Sequence, residues 1–281
     1  MTLHRIGILT LGLTLLLAGC AARQATVSTG GARGQYDLAM KTYERHHYDE
    51  AILEFQKVLY NYPGLSYVDS VQFWFAMSYH GREDFHLAIP EFRRLITNFP
   101  NSELIDDAAF MIGKSYFDAA PKNVGLDQTD TENAIKELTA YLEDYPNSDR
   151  RHEGEFLLSQ AIEKIVEKEF RAGRQYYRMG NLVSSRIYLE DVIKEHPDAK
   201  CIPEALYLLA NIDEKQKHYS DARDKLNNLI NTFPRSEFFA KAGKMKAKME
   251  EKIAAGPASG VDALTGCPRR RVRRAARGAA P

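Results

Sequence analysis

The chain has 281 residues, 44% of them apolar and 27% charged, a globular balance with enough apolar material for a packed core. Its 38 basic and 38 acidic residues cancel, yet residues 1–19 hold one Arg and residues 268–281 hold six with no acid, so the stretch between them carries 31 basic against 38 acidic side chains. An acidic body argues against nucleic acid as the partner of the folded part, and three cysteines do not make a disulfide framework.

The chain opens on Arg5, an apolar run from Ile6 to Leu17 and small residues up to Cys20, which reads as a secretory signal peptide over residues 1–19. A helix of that run reaches only about 18 Å against a hydrocarbon core of about 30 Å, so it does not span a membrane. Leu17-Ala18-Gly19-Cys20 resembles the bacterial lipobox, whose Cys is acylated and becomes the N-terminus after cleavage. That resemblance implies a lipidated Cys20 and a flexible tether over residues 20–34. At about 0.8 kcal/mol per buried methylene, three acyl chains would anchor the protein almost permanently. Ala21 follows the Cys where Asp would signal inner-membrane retention, so the resemblance favours the outer membrane.

One pattern then recurs five times: a large apolar residue, Ala three later, a large apolar residue four further, and Pro twelve after the Ala. The instances are Tyr48, Ala51, Phe55, Pro63; Phe85, Ala88, Phe92, Pro100; Ala134, Leu138, Pro146, led by Thr131; Leu182, Ser185, Leu189, Pro197; and Tyr219, Ala222, Leu226, Pro234. Spacings of three and four place these residues on one helical face, the Ala admits a neighbouring helix, and the Pro closes the helix. Upstream of each lies a first helix with its own small residue, Ala39, Ala76, Gly113, Gly173 or Ala210. The pattern matches the tetratricopeptide repeat (TPR), and the expected fold is an all-α TPR solenoid of five helix-turn-helix repeats.

Successive prolines lie 37, 46, 51 and 37 residues apart, where a TPR has about 34. The excess predicts a long loop over Ala119–Asp130, ended by a capping box Thr129-Asp130-Thr131-Glu132, and a first helix extended over Asp149–Met179. A last amphipathic stretch, Glu237–Ile253, should cap the array. The expected organisation is repeats 1–3 over residues 35–146, repeats 4–5 and the capping helix over 147–254, and an Arg-rich disordered tail over 255–281, read as solvated. The residues leave open whether Cys201 and Cys267 pair.

Five such repeats behind a lipobox, with the long helix after the third, resemble the BamD (YfiO) family of outer-membrane β-barrel assembly lipoproteins. The most specific stretch runs from Asp127 through Ala134–Pro146 and Glu167-Lys168-Glu169-Phe170 to Gly180-Asn181. The resemblance implies a scaffold on the periplasmic face of the outer membrane. Its C-terminal half would hold a BamA-type barrel protein beside other assembly lipoproteins, and its N-terminal half would receive unfolded outer-membrane proteins. In TPRs, positions 2, 5, 9 and 12 of the first helices line the inner face. Here the expected substrate groove is Tyr36, Met40, Tyr43, Phe73, Met77, His80, Phe110, Lys114 and Phe117, with Lys114 suited to a terminal carboxylate. The more polar candidates for the folded partner are Glu167, Arg174, Tyr177, Glu204, Asn211 and Glu214.

No nucleophile-base pair, phosphate loop or metal-ligand spacing is found, so neither catalysis, a metal nor a cofactor is expected. His46-His47 falls at a predicted turn, and His80 and His86 flank another. The alternative is a general periplasmic TPR lipoprotein serving cell-division, Tol-Pal or peptidoglycan machinery, or an accessory subunit of a cell-wall enzyme.

Overall fold

The structure, a computed structural model, describes residues 31–256; the signal peptide, Cys20, Cys267 and the Arg cluster lie outside the described residues. Among the described residues there are only helices: α1 (Gly31–Glu44), α2 (Tyr48–Asn61), α3 (Val68–Gly81), α4 (Phe85–Asn98), α5 (Ile105–Ala119), α6 (Thr129–Asp144), α7 (Arg151–Arg178), α8 (Leu182–Glu195), α9 (Ile202–Lys215), α10 (Tyr219–Thr232) and α11 (Phe239–Ala254). The chain is all-α, of TPR type, and forms two compact units divided between Ile165 and Val166, inside the 28-residue α7. The first holds the hairpins α1–α2, α3–α4 and α5–α6 with the start of α7; the second holds the end of α7, the rest of the fourth and the fifth hairpins, and α11.

The recurring residues are the core. Ala51 and Phe55, Ala88 and Phe92, Ala134 and Leu138, Ser185 and Leu189, and Ala222 and Leu226 are all fully buried. Each second helix ends as the repeat rule requires: the N–H of Tyr62, Phe99, Tyr145, His196 or Phe233 donates to the carbonyl four residues back, and the following Pro cannot continue the ladder. The small residues of the first helices are there for close approach. A Cβ on Gly113 would stand 2.7 Å from Leu138 Cδ2, so the chain has no room for Ala at that crossing.

Four of the five hairpin turns share one backbone solution. His46, Glu83 and Lys217 have φ of 60°, 67° and 64°, and Gly180, at the same register, has 80°. Only the Gly adopts this left-handed conformation without steric cost. The third repeat replaces the tight turn by residues 120–128, and here the expected capping box is corrected. Thr129 is the first helical residue, not the cap. Buried Gln128 precedes it and donates to the carbonyls of Asn123 (3.1 Å) and Leu126 (3.3 Å), while Thr131 Oγ1 donates to Gln128 Oε1 (2.7 Å). Thr131, the odd leading residue of its repeat, is thus polar because it serves that glutamine.

Candidate functional site

The inner-face candidates separate into two kinds. Residues at position 5 of the first helices pack into the joints between repeats, against the residue four places after the loop proline or its neighbours. Tyr36 meets the ring of Tyr67 (5.4 Å), Arg150 lies over Phe110 (4.8 Å), and Tyr207 meets Phe238 (5.5 Å). Phe110 is 0% exposed and Phe73 only 8%, with Phe73 against Phe92 and Phe110 against Tyr141. Both were expected in the groove, and both are core. The cause is that an aromatic at this register seals one hairpin onto the next, which sequence spacing cannot distinguish from lining a surface.

What keeps surface in the first unit is a row of half-buried, mostly apolar side chains: Tyr36, which packs into a joint yet stays part-exposed, with Met40, Tyr43, Met77 and Phe117. Trp74, absent from the expected set, joins them through its ring contact with Tyr43 (5.0 Å). Burial raises the Tyr36 and Tyr43 hydroxyls above their usual pKa, so both stay neutral donors. The row has one polar node. Asp118 Oδ2 accepts from Lys114 Nζ (2.9 Å) and lies 3.2 Å from His80 Nε2. Burial works to raise the Asp118 carboxyl, but the hydrogen bonds from His80 and Lys114 outweigh it and hold the group below the ordinary carboxylate value. Lys114, expected to meet a terminal carboxylate, therefore already has one.

In the second unit the corresponding residues are satisfied from within. Glu167 pairs with Arg171 (2.5 Å), Arg174 with Glu204 (3.4 Å), and Lys215 Nζ sits 4.3 Å from the centre of the Tyr177 ring. Asn211 Nδ2 donates to the Tyr207 carbonyl (2.7 Å), and Glu214 takes both Lys248 (2.7 Å) and Lys252 (2.9 Å), which hold its carboxyl below the ordinary value. Deeper in, Asp213 is 1% exposed and flanked by Arg186 and, at 2.8 Å, Lys225. His218 and Asp221 approach the same carboxylate, but with two cations already on Asp213 the charge needed to hold a metal there is spent.

The open surface of this unit is elsewhere. At the α7–α8 corner Met179 is 68% exposed, Val183 67%, Ile187 55% and Tyr188 38%, with Tyr176 stacked on Tyr188 (5.5 Å). At the registers of Val183 and Ile187 the fifth repeat has Ser220 and Asp224, and the third has Glu132 and Lys136. A four-residue spacing of exposed apolar groups is a ridge that another element can pack on. The comparison between repeats exposes Val183 from sequence, since that position is Asp49, His86, Glu132 or Ser220 elsewhere, whereas Ile187 shares its register with the exposed Leu53 and with Pro90.

The family model described as outer membrane lipoprotein, YfiO, matches residues 31–217, and a tetratricopeptide-repeat model matches residues 204–236. The chain belongs to the YfiO outer membrane lipoprotein family. No helix among the described residues is long and apolar enough to cross a membrane. No curated protein matches the chain. Solved structures similar to it include the TPR2AB domain of yeast Sti1 in its complex with pHSP90, at 16% identity over 79% of this chain and 84% of that one, TM-score 0.43. A thermophilic TPR protein of Thermus thermophilus, TTC0263, aligns at 13% identity over 79% of this chain and 100% of its own, TM-score 0.34. MamA of Desulfovibrio magneticus RS-1 aligns at 11% identity over 75% and 99%, TM-score 0.36. Likenesses this distant carry no functional weight.

Proposed function

We propose that this chain is a lipid-anchored, non-catalytic scaffold of outer-membrane β-barrel assembly, tethered through Cys20 on the periplasmic side. Its first unit receives extended, apolar segments of unfolded outer-membrane proteins on the row Tyr36, Met40, Tyr43, Trp74, Met77 and Phe117. Rings and thioethers adapt to many related apolar side chains, and the single polar node is neutral in balance, so the surface suits variety over one charged motif. The second unit holds a folded partner, a BamA-type barrel protein with periplasmic domains. The observation that carries this reading is the ridge of Met179, Val183, Ile187 and Tyr188, left open while the polar residues first expected to bind the partner are occupied within the chain.

Affinity purification of the membrane-extracted protein, with mass spectrometry of what accompanies it, tests the proposal. A large β-barrel protein with repeated periplasmic domains is expected, lost on Ile187→Glu and kept in Tyr43→Ala/Met77→Ala. Crosslinking to unfolded outer-membrane proteins should show the reverse. Recovery of Tol-Pal components or cell-wall enzymes without a barrel protein overturns it.

A further inference from the structure

The end of the first hairpin is apolar at two positions where the other four repeats are polar. Tyr60, in the last turn of α2, is 85% exposed, and Leu53, seven residues back on the same face, is 56% exposed. The register of Tyr60 holds Thr97, Glu143, Lys194 and Asn231 in the other repeats. Gly64, which follows the exposed Pro63, stands where they have Asn101, Asn147, Asp198 and Arg235. Neither backbone nor packing demands that glycine: it lies outside the left-handed region, and a Cβ there would meet nothing within 4 Å. A polar side chain would fit at this corner and is missing, while beside it a large ring is held in the open.

The position of the corner says what covers it. The helices α1 and α2 form an antiparallel hairpin, so the end of α2 lies beside the start of α1, where the chain enters the fold. Tyr67, just past the corner, meets Tyr36 (5.4 Å), and the Arg33 guanidinium lies 5.7 Å from the centre of the Tyr67 ring. Ten residues separate Cys20 from Gly31, and eleven Cα steps of about 3.3–3.6 Å reach at most about 40 Å. Lipid on Cys20 therefore keeps this corner within that distance of a bilayer. The charges of the hairpin leave the corner clear. Asp49 and Glu50 sit at the far end of α2, against Arg82 (2.6 Å) and His47 (3.8 Å). Nearer the corner each carboxylate of α1 and α2 is paired, Glu54 with Lys57 (2.8 Å) and Asp37 with Arg33 (3.0 Å). A tyrosine, apolar in its ring and polar at its tip, is suited to the boundary between lipid and water.

We propose that Tyr60, Pro63 and Gly64 rest on the lipid surface that holds the anchor, with the Tyr60 ring among the headgroups, and that this contact sets how the first repeat faces the membrane. The inference rests on the anchoring of Cys20 and is independent of what the inner row or the ridge binds. One ring and one proline are too little to hold a free protein on a bilayer. A short tether makes the contact intramolecular, so that even a weak one selects an orientation.

The test uses the membrane-extracted, lipidated chain, reconstituted in vesicles of phosphatidylethanolamine and phosphatidylglycerol with a dibrominated phosphatidylcholine as quencher. Tyr60→Trp and, as control, Asn231→Trp at the same register of the fifth repeat each add one indole to Trp74. Both positions are exposed, so both variants should keep the parent's Tm. Bromolipid should lower the added emission of Tyr60→Trp roughly twofold or more, as expected for a ring at headgroup depth, and leave that of Asn231→Trp and of the parent unchanged. Gly64→Asn, combined with Tyr60→Trp, should reduce the quenching. Equal quenching of the two variants, or none of Tyr60→Trp in a chain that floats with the vesicles, overturns the contact and leaves the anchor standing. Emission of Tyr60→Trp that lipid does not quench but that native membranes shield from acrylamide means that a protein covers the corner, and overturns the proposal as well. A chain that does not float with the vesicles overturns the anchoring, and this contact with it.

Discussion

Repeats 1–3 and repeats 4–5 are built on one pattern but solve the same positions differently. In the first unit the inner row is Tyr, Met, Trp and Phe, each half-buried and with little polar commitment. In the second, Arg174, Glu204 and Glu214 at those registers are tied into ion pairs between helices, and exposed apolar side chains gather at the α7–α8 corner. Helix pairing needs only the small residue and the large ones four away. The remaining positions are therefore free to be either adhesive or satisfied, and each unit uses that freedom once.

The sharpest way to break the comparison is to damage one unit and ask whether the other notices. Phe110→Ala should cost about 3–5 kcal/mol, because a fully buried ring leaves a cavity at a joint between repeats. Hydrogen exchange should show the loss across α3–α6, with α9–α11 protected as before. Asp213→Ala should cost about 3 kcal/mol, since it strands Arg186 and Lys225 against a buried position; chemical denaturation with exchange should place that loss in α8–α10. Loss of protection spread evenly over both units in either variant would show that they do not behave as separate bodies.

Acid sharpens the contrast at single carboxylates. Asp118 and Glu214 are both held below their ordinary pKa, one in each unit. Such a group stabilises the fold above its unfolded value, about 3.9 for Asp and 4.3 for Glu, and that contribution disappears as pH falls through the lower folded value. Stability measured from pH 5 downward should therefore decline less steeply in Asp118→Asn and in Glu214→Gln than in the parent. The smallest effect is expected at the turns: Glu83→Gly should be neutral to about 1 kcal/mol stabilising, read as a small rise in Tm, because relief of the left-handed strain is partly offset by the freedom Gly gains when unfolded.

Most of the helical plan was legible in the chain. The Ala and Pro spacing located all five second helices, the proline distances located the long loop and α7, and Glu237–Ile253 differs from α11 by a residue or two at each end. The inner face was only half legible. Tyr36 and Phe110 are aromatics at the same position of their repeats, yet one keeps surface and the other is wholly sealed in a joint, and only the packing partner decides which. Arg186 was hidden for a related reason. It stands where the first three repeats have Ile52, Ile89 and Ile135, and an arginine there makes sense only beside Asp213, twenty-seven residues on.

The glutamine at the end of the third repeat's loop has a practical consequence. Residues 120–128 include the exposed Lys122 and look like an ideal place for trypsin to cut or for an epitope tag to be inserted. But Gln128 ties the backbone at Asn123 and Leu126 to the start of α6, and a protease must straighten about ten residues to cleave. The loop should resist digestion for as long as α6 is folded, and an insertion there would unlatch a helix instead of decorating a surface.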